Sequence, residues 1–546
     1  MKVDDLISLQ GKLAENQAQW KNMWDTVSMY VLPDVKDIWT TSRGPSASIH
    51  PECLDSTAQA ANLLLASSMH MSFTSDASEW FRMRIRDSAL MKSMAVREYC
   101  QEVTRRIYDA CLMSNFYQTM FTGWLTLPAF GTSAMFIEDR ENDGILRTRS
   151  VPIYNVFPAE NWDGLIDTVF IKDRFTIYKI VQRWPGSKEL SSIKQDYEKN
   201  PFKELEVLHY VGPSEGWTMA DKENKYVSIY ILNRDSRDIL NKVGNEYEGY
   251  REFPYLVDRW NVLPGEVFGI GPGIYILPTI LSLMKTTEIK YEALGMVINP
   301  PVASTEDNIQ AIGENGKIGP GVQLIMRDLN NSKPWITGAN IPIAELSEEK
   351  LRDQINKMWF VNELMLSPDR PEMTAYETAK RVELVHRLLG PVSNRIQRER
   401  LNPAIERIFG ILQRAKKLPN LPEELIYAMK EEKDILDIEY VSPLARAQRY
   451  NEVQSAQELI SIVIQAAQLD PIYLEKIKFT DYIDFVAERT GVPVSILASS
   501  KEFQAIKEAK ARQAAQQAQL QQLETAGGAA QRFSRAAQGM KQSGMM

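Results

Sequence analysis

The stretch IYILPTILSLMKTTEIKYEALGMVI, residues 274–298, carries a helical pattern that ends at the tripeptide NPP, residues 299–301. A proline restricts the residue before it to extended backbone, so NPP predicts the end of the helix. One face of this helix is formed by residues that step by three or four along the chain: Ile276, Ile280, Leu283, Thr287, Tyr291, Leu294 and Ile298.

The segments that follow predict a helical hairpin with a small appendage. Residues 299–343 are rich in Gly, Pro and Asn, with GENGKIGPG and DLNNSKP between short strand-like runs. Residues 344–366 are helical by pattern, and SPDRPEM at 367–373 is a short break. The sequence then enters a long helical stretch, 374–417, so the hairpin arms lie on either side of the appendage.

The long stretch 374–417 combines a strong helical period with helix-breaking residues and an unusual charge. Gly390, Pro391 and Pro403 predict kinks or breaks within it. It holds ten basic and four acidic residues, whereas residues 418–500 hold seven basic and fourteen acidic. The basic helix fits a solvated face, ion pairs with an acidic neighbouring subunit, or contacts with phosphates. The sequence leaves these three alternatives open.

The rest of the chain predicts an α+β protein that is predominantly α. Residues 1–30, 55–72 and 93–129 have helical periods, with Asp55 or Ser56 as the N-cap of the second helix. Short β-branched and aromatic runs in 132–260 alternate with turn signals, which predicts an antiparallel sheet. The tail 501–546 is rich in Ala and Gln, and we expect a helix there with a mobile end.

Composition excludes several classes of protein. The 546 residues include 63 basic and 71 acidic side chains, a net charge of −8, which argues against tight duplex binding by the whole surface. Three cysteines exclude a disulfide scaffold and suit a reducing compartment. The N-terminus has no signal-peptide pattern, and no run suits a membrane span, so we expect a soluble intracellular protein without a membrane partner.

The sequence also lacks the motifs of an enzyme. The four histidines are isolated, and there is no metal-ligand spacing such as HExxH or CxxC. GENGKIG at 313–319 resembles a phosphate loop, but Ile318 occupies the position of the magnesium-binding Ser or Thr. We therefore expect no catalytic residue, no metal and no cofactor. A motor ATPase, which needs a phosphate loop, is disfavoured for the same reason.

Six or more segments carry, in order, a resemblance to a known family that covers about residues 15–450. Near the C-terminal end it includes MTAYETAKRVE at 373–383, LGPVSNRIQRERLNPAIERIFGILQRAKKLPNLPEEL at 389–425 and IEYVSPLARAQR at 438–449. The earlier matching segments are WKNMWDTVSMYVLP, LDSTAQAANLLLASSMHMSFT with EWF, NFYQTMFTGWLTLPAFGTSAMFIED with its Phe-Gly-Thr turn, and DRWNVLPGEVFGIGPG, where Phe268 replaces the usual Tyr. In this order the segments resemble the head-to-tail connector (portal) proteins of short-tailed bacteriophages.

The resemblance implies a twelve-subunit ring with a central channel at one vertex of the capsid. Such rings pass double-stranded DNA inward and outward, dock the terminase large subunit, seat the tail adaptor and contact scaffolding and major capsid proteins. The protein is then a virion component at the head–tail junction, assembled in the host cytoplasm. The implied parts are a wing (1–273), stem helices (274–298 and 344–366), a clip (299–343), a channel loop (367–373), a long kinked helix (374–417), a crown (418–500) and a helical tail (501–546).

The implied channel loop holds the first candidate for a side chain that faces DNA, Arg370. Asp369 and Glu372 beside it would keep that contact weak, which suits a channel because tight phosphate contacts would slow DNA. In the implied clip, the candidates for docking the motor or adaptor are Asn308, Lys317, Gln323, Arg327 and Trp335.

Lys285 and Lys290 on the first stem helix are weaker candidates for DNA contact. Glu288 and Glu292 lie at helical spacing from them, and pairing with these acids is the slightly favoured alternative. The competing hypothesis for the whole chain is a monomeric helical scaffold or adaptor protein without DNA passage. The size of the oligomer in solution separates it from the ring.

Overall fold

The structure is a computed structural model of the chain. It describes residues 3–33, 53–87, 89–139, 144–215, 217, 223–233, 237–243, 246–298, 302–304, 309–311, 325–326, 332–334, 341–364, 389–426, 436–440, 443–468, 470–490, 503, 505–513 and 515–517.

The chain divides into two compact units. The first comprises Met1–Arg82, Glu102–Pro419 and Ile438–Ala445, and it contains both sheets and the helical hairpin described below. The second comprises Met83–Gln101, Asn420–Asp437 and Arg446–Met546. The second unit holds the helix Phe479–Thr490 and most of the helix Pro443–Ala467.

Helices dominate the described chain, as the sequence predicts. Two predicted helices are each divided: 1–30 into α1 and α2, and 93–129 into α4 and α5, where Asn115 turns the chain by hydrogen bonding to Thr148. The helices up to the second hairpin arm are α1 (Val3–Ala18), α2 (Lys21–Tyr30), α3 (Thr57–Phe73), α4 (Met94–Leu112), α5 (Phe116–Phe130), α6 (Ile177–Arg183), α7 (Ser191–Lys199), α8 (Pro272–Tyr275), α9 (Leu277–Ile298), α10 (Ile341–Met358) and α11 (Val361–Leu364).

Two antiparallel sheets fill the middle of the first unit. The five-stranded sheet has the spatial order Gly249–Tyr250, Tyr226–Leu232, Glu204–Pro213, Ile166–Thr176, Val156–Glu160. The three-stranded sheet has the order Tyr255–Arg259, Thr132–Asp139, Leu146–Val151. Shorter strands are Phe81–Ile85, Lys242–Val243, Glu246–Tyr247, Val302–Ser304, Ile309–Ala311, Ile325–Met326, Ser332–Pro334 and Leu436–Tyr440. The predicted α+β fold, predominantly α, is confirmed.

The five-stranded sheet is covered on both faces because successive residues of its strands point to opposite faces and apolar residues occupy both sets of positions. Leu208 and Tyr210 face one side, where Leu6 of α1 packs. Val207 lies on the other side, where Ile177 of α6 packs. Period-two alternation therefore gives the sheet two cores with a helix on each.

The start of the hairpin closely approaches the end of α5, mainly through backbone atoms. Gly131 has φ +77°, and a Cβ on Gly269 would lie 2.2 Å from the Gly131 carbonyl oxygen. Gly269 N–H also donates to Thr132 Oγ1 at 2.8 Å, and Trp260 N–H donates to the Gly131 oxygen at 2.8 Å. A Cβ on Gly271 would lie 2.4 Å from the Pro128 oxygen, so these glycines permit an approach that side chains would block.

Two tryptophans from the N-terminal part of the chain pack beside this glycine contact. Trp24 of α2 meets the Phe268 ring edge to face at 5.0 Å between centroids, and Trp20 lies 5.9 Å from the same ring. Trp24 and Phe268 are buried. Three segments that carry the family resemblance, far apart in sequence, thus meet at one junction.

Candidate functional site

The two arms of the hairpin, α9 and α10, are held together by apolar packing and one buried ion pair. Ile280 and Leu283 of α9 and Ile355 of α10 are buried. Lys290 Nζ lies 2.6 Å from Glu348 Oε2, and the Glu348 side chain is 1% exposed. A buried carboxylate without its partner is strongly unfavourable, so this pair favours one register of the two helices.

A second ion pair connects α10 to the start of α3. Arg352 lies 2.8 Å from Asp55 Oδ2, and the Thr57 N–H donates to Asp55 Oδ1 at 2.8 Å. Burial alone would raise the pKa of Asp55, but the hydrogen bonds from Thr57 and the Arg352 guanidinium outweigh it and lower the pKa. Of the two N-cap candidates, Ser56 occupies the N-cap position of α3 but makes no side-chain capping hydrogen bond. Asp55, one residue earlier, accepts the Thr57 N–H and also anchors α10.

The predicted candidates on the first arm have partners within the chain. Lys285 is exposed and lies 2.8 Å from Glu288, the alternative expected from helical spacing. Lys290 is bonded instead to Glu348, a residue 58 positions away that sequence spacing does not indicate. Contact of either lysine with DNA stays a prediction.

The other predicted site residues lie outside the described residues. These are the channel-loop candidates Asp369, Arg370 and Glu372 and the clip candidates Asn308, Lys317, Gln323, Arg327 and Trp335. Their roles stay predictions.

The exposed surface of the hairpin helices α9 and α10 carries both apolar and acidic side chains. Leu281, Ile289 and Met296 of α9 are exposed, and their spacings of eight and seven place them near one face of the helix. Ile343 and Leu346 of α10 are exposed as well. Six exposed charges on these helices have no ion pair with a described residue: the acids Glu292, Glu345, Glu349 and Asp353 and the bases Lys350 and Lys357.

The basic helix carries a clamp that sequence analysis did not find. Residues 389–396 are helical and continue through a π-helical turn, Gln397–Leu401, into the helix Asn402–Arg414. Pro403 has no N–H for the regular bond to the residue four positions earlier, so a wider turn is accommodated just before it. This is the only distortion that the described part of the predicted kinked helix shows near Pro403.

Adjacent residues of the π-helical turn bind adjacent residues of the strand Tyr255–Arg259. Arg400 Nη1 lies 2.9 Å from Asp258 Oδ2, and both side chains are fully buried. Arg400 also lies over the Trp124 ring, 4.3 Å from its centroid. Arg259 donates to both carboxylate oxygens of Glu399, at 2.7 and 3.2 Å. The wide turn therefore lets consecutive charges reach the same strand.

Two further arginines extend this clamp along the helix. Arg407 lies 2.8 Å and Arg414 2.7 Å from the carboxylate of Glu252. Burial would raise the pKa of Glu252, but the two guanidinium groups outweigh it and lower the pKa. Arg400, Arg407 and Arg414 repeat every seven residues, so they lie on one helix face.

The Asp258–Arg400 pair is the least solvated part of the clamp. Burial raises the pKa of Asp258 despite the Arg400 charge, and burial lowers the pKa of Arg400. Ser133 Oγ donates to the other Asp258 oxygen at 2.7 Å. Three of the ten basic side chains in residues 374–417 are thus neutralised by acids of the same subunit. Such pairing within the subunit was not among the alternatives considered from the sequence, which were a solvated face, ion pairs with a neighbouring subunit and contacts with phosphates. The seven-residue repeat was the signal for a common face, but it does not identify the acidic partners.

The described residues show neither a metal centre nor a membrane span. Among them, no three His, Cys, Asp or Glu side chains are grouped so as to hold an ion. No helix within the ranges given above is long and apolar enough to cross a membrane.

Comparison with known proteins gives a consistent match over nearly the whole chain. Residues 3–497 match the family model described as "Bacteriophage head to tail connecting protein". The portal protein of Salmonella phage epsilon15 is 27% identical over 521 residues, covering 93% of this chain and 91% of that protein. The probable portal protein of Bordetella phage BPP-1 is 25% identical over 538 residues, covering 94% and 92%. The chain belongs to the family of bacteriophage head to tail connecting proteins.

Proposed function

We propose that the chain is a portal subunit that forms a ring at one capsid vertex, at the head–tail junction of the virion. Double-stranded DNA is packaged and ejected through the ring, which docks the terminase large subunit and the tail adaptor. The observation that carries this proposal is the exposed surface of the α9–α10 hairpin, which carries apolar side chains and an excess of acidic charge.

The apolar side chains support association with further copies of the chain. Leu281, Ile289 and Met296 form an exposed stripe on a helix that is already packed on its opposite face. Contiguous exposed apolar residues mark interaction sites. In a ring each subunit presents two different surfaces to its neighbours, so one face of the hairpin can be covered by the next copy.

The charges support loose passage of DNA. Lys290 and Arg352 are held by Glu348 and Asp55, and Lys285 is held by Glu288. The remaining exposed charges of the two helices are four acids and two bases, a net charge of −2. Affinity for DNA rises with the number of phosphates neutralised, so a wall with this balance binds DNA weakly.

The proposed parts are those that the family resemblance implies: wing, stem, clip, channel loop, long helix, crown and tail. In the channel loop we assign DNA contact to Arg370, moderated by Asp369 and Glu372. In the clip we assign docking of the motor or adaptor to Asn308, Lys317, Gln323, Arg327 and Trp335. The role is structural, without catalysis, and scaffolding and major capsid proteins are the expected neighbours of the ring.

Negative-stain electron microscopy of the purified chain, sorted by symmetry, tests the proposal. We expect rings, twelve-fold by family resemblance, with a central hole of roughly 20 Å or somewhat more. Ile289→Asp should prevent ring formation because it places a charge in the covered stripe, whereas Met113→Asp, at an exposed position outside the hairpin, should not. Monomers at every concentration, with or without scaffolding protein, would favour the helical-scaffold alternative.

A second experiment tests the channel loop. Virions assembled with Arg370→Glu subunits should contain less packaged DNA, while purified Arg370→Glu subunits still form rings. Arg370→Lys is the matched control, because it keeps the positive charge and should leave packaging close to the unsubstituted level. Equal amounts of packaged DNA in virions with unsubstituted, Arg370→Glu and control subunits would overturn the assignment of Arg370. The proposal that the chain forms a ring would not be affected.

A further inference from the structure

A rigid turn presents one tryptophan to solvent at an end of the five-stranded sheet. Trp162 lies between the strands Val156–Glu160 and Ile166–Thr176, and 93% of it is exposed. Asn161 Oδ1 accepts the N–H groups of Asp163 at 2.9 Å and Leu165 at 3.0 Å. The turn is therefore ordered before any partner binds, which lowers the entropy cost of binding.

The base of this turn is fixed to the charged clamp. Arg259 Nη2 donates to the Gly164 oxygen at 3.0 Å and to Glu399 at 2.7 Å. The same guanidinium is paired with Glu160. One buried side chain thus holds the turn, its preceding strand and the π-helical turn together.

The turn is acidic. Residues 160–167 include Glu160, Asp163 and Asp167 and no basic residue. Glu160 is paired with Arg259, whereas Asp163 and Asp167 have no ion pair with any residue that the structure describes. We define the acidic tip as residues 160–167.

A second exposed aromatic surface lies beyond the other end of the same strand. The rings of Tyr178 and Phe202 stack at 6.1 Å between centroids and are 49% and 71% exposed. Tyr178 N–H donates to the Pro201 oxygen at 2.8 Å, which fixes the two segments side by side. Both rings lie at the start of α6 and in the turn after α7.

This second surface is basic. Residues 174–183 and 199–204 contain five basic residues and one acid, Glu204. Arg183 is paired with Glu138 and Lys203 with Asp196. The other three bases, Arg174, Lys179 and Lys199, are exposed. We define the basic corner as residues 174–183 and 199–204.

The tip and the corner cannot meet within one chain. From Asp167, the last residue of the tip, to Arg174, the first of the corner, the strand Ile166–Thr176 runs seven residue steps, about 23 Å at ~3.3 Å per residue. They are different surfaces at opposite ends of one sheet, and their charges are complementary. That is the arrangement a head-to-tail contact between copies needs.

We propose that the acidic tip of one subunit docks on the basic corner of the next copy, with Trp162 packed against Tyr178 and Phe202. Asp163 faces the lysines of the corner, and Lys179 or Lys199 covers the indole. The inference rests on the proposed ring and names a contact within it. Trp is the residue type that most often dominates the energy of an interface.

Disulfide cross-linking tests the contact directly. Trp162→Cys and Phe202→Cys are combined in one chain that also carries Cys53→Ser, and assembled rings are oxidised. A ladder of covalent oligomers is expected from the double variant and none from either single variant. Cysteines this far apart cannot bridge within a chain, so every bridge reports a neighbour. Rings that form normally but give no ladder overturn the contact.

A charge exchange provides the second readout. Asp163→Lys and Lys179→Glu should each raise the concentration at which half the chains are in rings by a fewfold, and their combination should restore it. Trp162→Ala should raise it on the order of tenfold or more, whereas Met113→Ala, at an 88% exposed residue, should not. No restoration in the double variant argues against the contact. Absence of rings from the unsubstituted chain instead overturns the proposed function.

Discussion

Replacing Arg400 by Met tests whether the buried clamp fixes the helix to the sheet. Arg400 and Asp258 are fully buried, so the substitution leaves a buried carboxylate without a counter-ion. Such a loss costs about 3–5 kcal/mol, and Met retains much of the apolar volume over Trp124. Because 1.4 kcal/mol is a factor of ten, amide exchange in the strand Tyr255–Arg259 should accelerate by a factor of roughly 10² to 4 × 10³.

The assay is hydrogen–deuterium exchange of the full chain, followed by mass spectrometry of peptides from this strand. Adding Asp258→Asn to Arg400→Met removes the unpaired charge and keeps a polar partner for Ser133, so it should recover about 2 kcal/mol. Arg398→Met, at an exposed position of the same turn, is the control and should change exchange less than about threefold. An Arg400→Met protein that exchanges like the unsubstituted chain, or a double variant without recovery, would refute the argument.

Three further predictions concern other buried groups. Burial lowers the pKa of His209 well below its ordinary value, so the imidazole stays neutral in the folded chain, whereas in the unfolded chain it takes up a proton near pH ~6.5. The free energy of unfolding should therefore fall as pH decreases below about 6.5, and His209→Gln should flatten this slope in urea titrations at pH 5–8. Lys290→Met should destabilise the hairpin by about 1–3 kcal/mol, because the buried Glu348 carboxylate then keeps only Arg352, 3.6 Å away, as a counter-ion. Lys285→Met, at an exposed pair, should change stability by less than about 1 kcal/mol, and thermal melting compares the two variants. Burial raises the pKa of Cys111 further than that of the half-buried Cys53, so iodoacetamide should label Cys53 first in the folded chain; equal labelling would contradict this.

The sequence predicted the elements whose signals are local. The apolar period of residues 274–298 and the following NPP predicted a helix that the structure shows as Leu277–Ile298. The turn signals between 132 and 260 predicted strands that pair in antiparallel fashion. Both signals depend on neighbours within a few residues, and such neighbours are visible in the sequence.

The partners of buried charges could not be predicted in this way. Spacing suggested Glu288 or Glu292 for Lys290, but the helix that packs alongside supplies Glu348. Arg400 finds Asp258 at a separation of 142 residues. A charge on a helix has the same local pattern whether it faces water or a carboxylate from another element, so only the tertiary fold distinguishes the two.

At the candidate site, too, local sequence signals could be predicted and tertiary contacts could not. The family motifs indicated which segments matter, and the structure brings the Trp20–Trp24 segment, the Gly131 turn and the Gly269–Gly273 segment together. The sequence around Trp162 does not show whether this tryptophan is exposed or buried in the core. Its exposure becomes visible only when the hairpin turn is placed at the end of the sheet.

The glycine contact at the start of the hairpin has a consequence for how accurately a closed ring can be built. In a closed ring any angular error in one subunit is repeated at every position and accumulates around the circle. Gly131 and Gly269 approach each other through main-chain atoms, at a distance that a Cβ on either residue would block. The contact between the hairpin and the end of α5 therefore depends on these glycines, and substitutions at exposed residues elsewhere can change the surfaces of the subunit while this contact is kept.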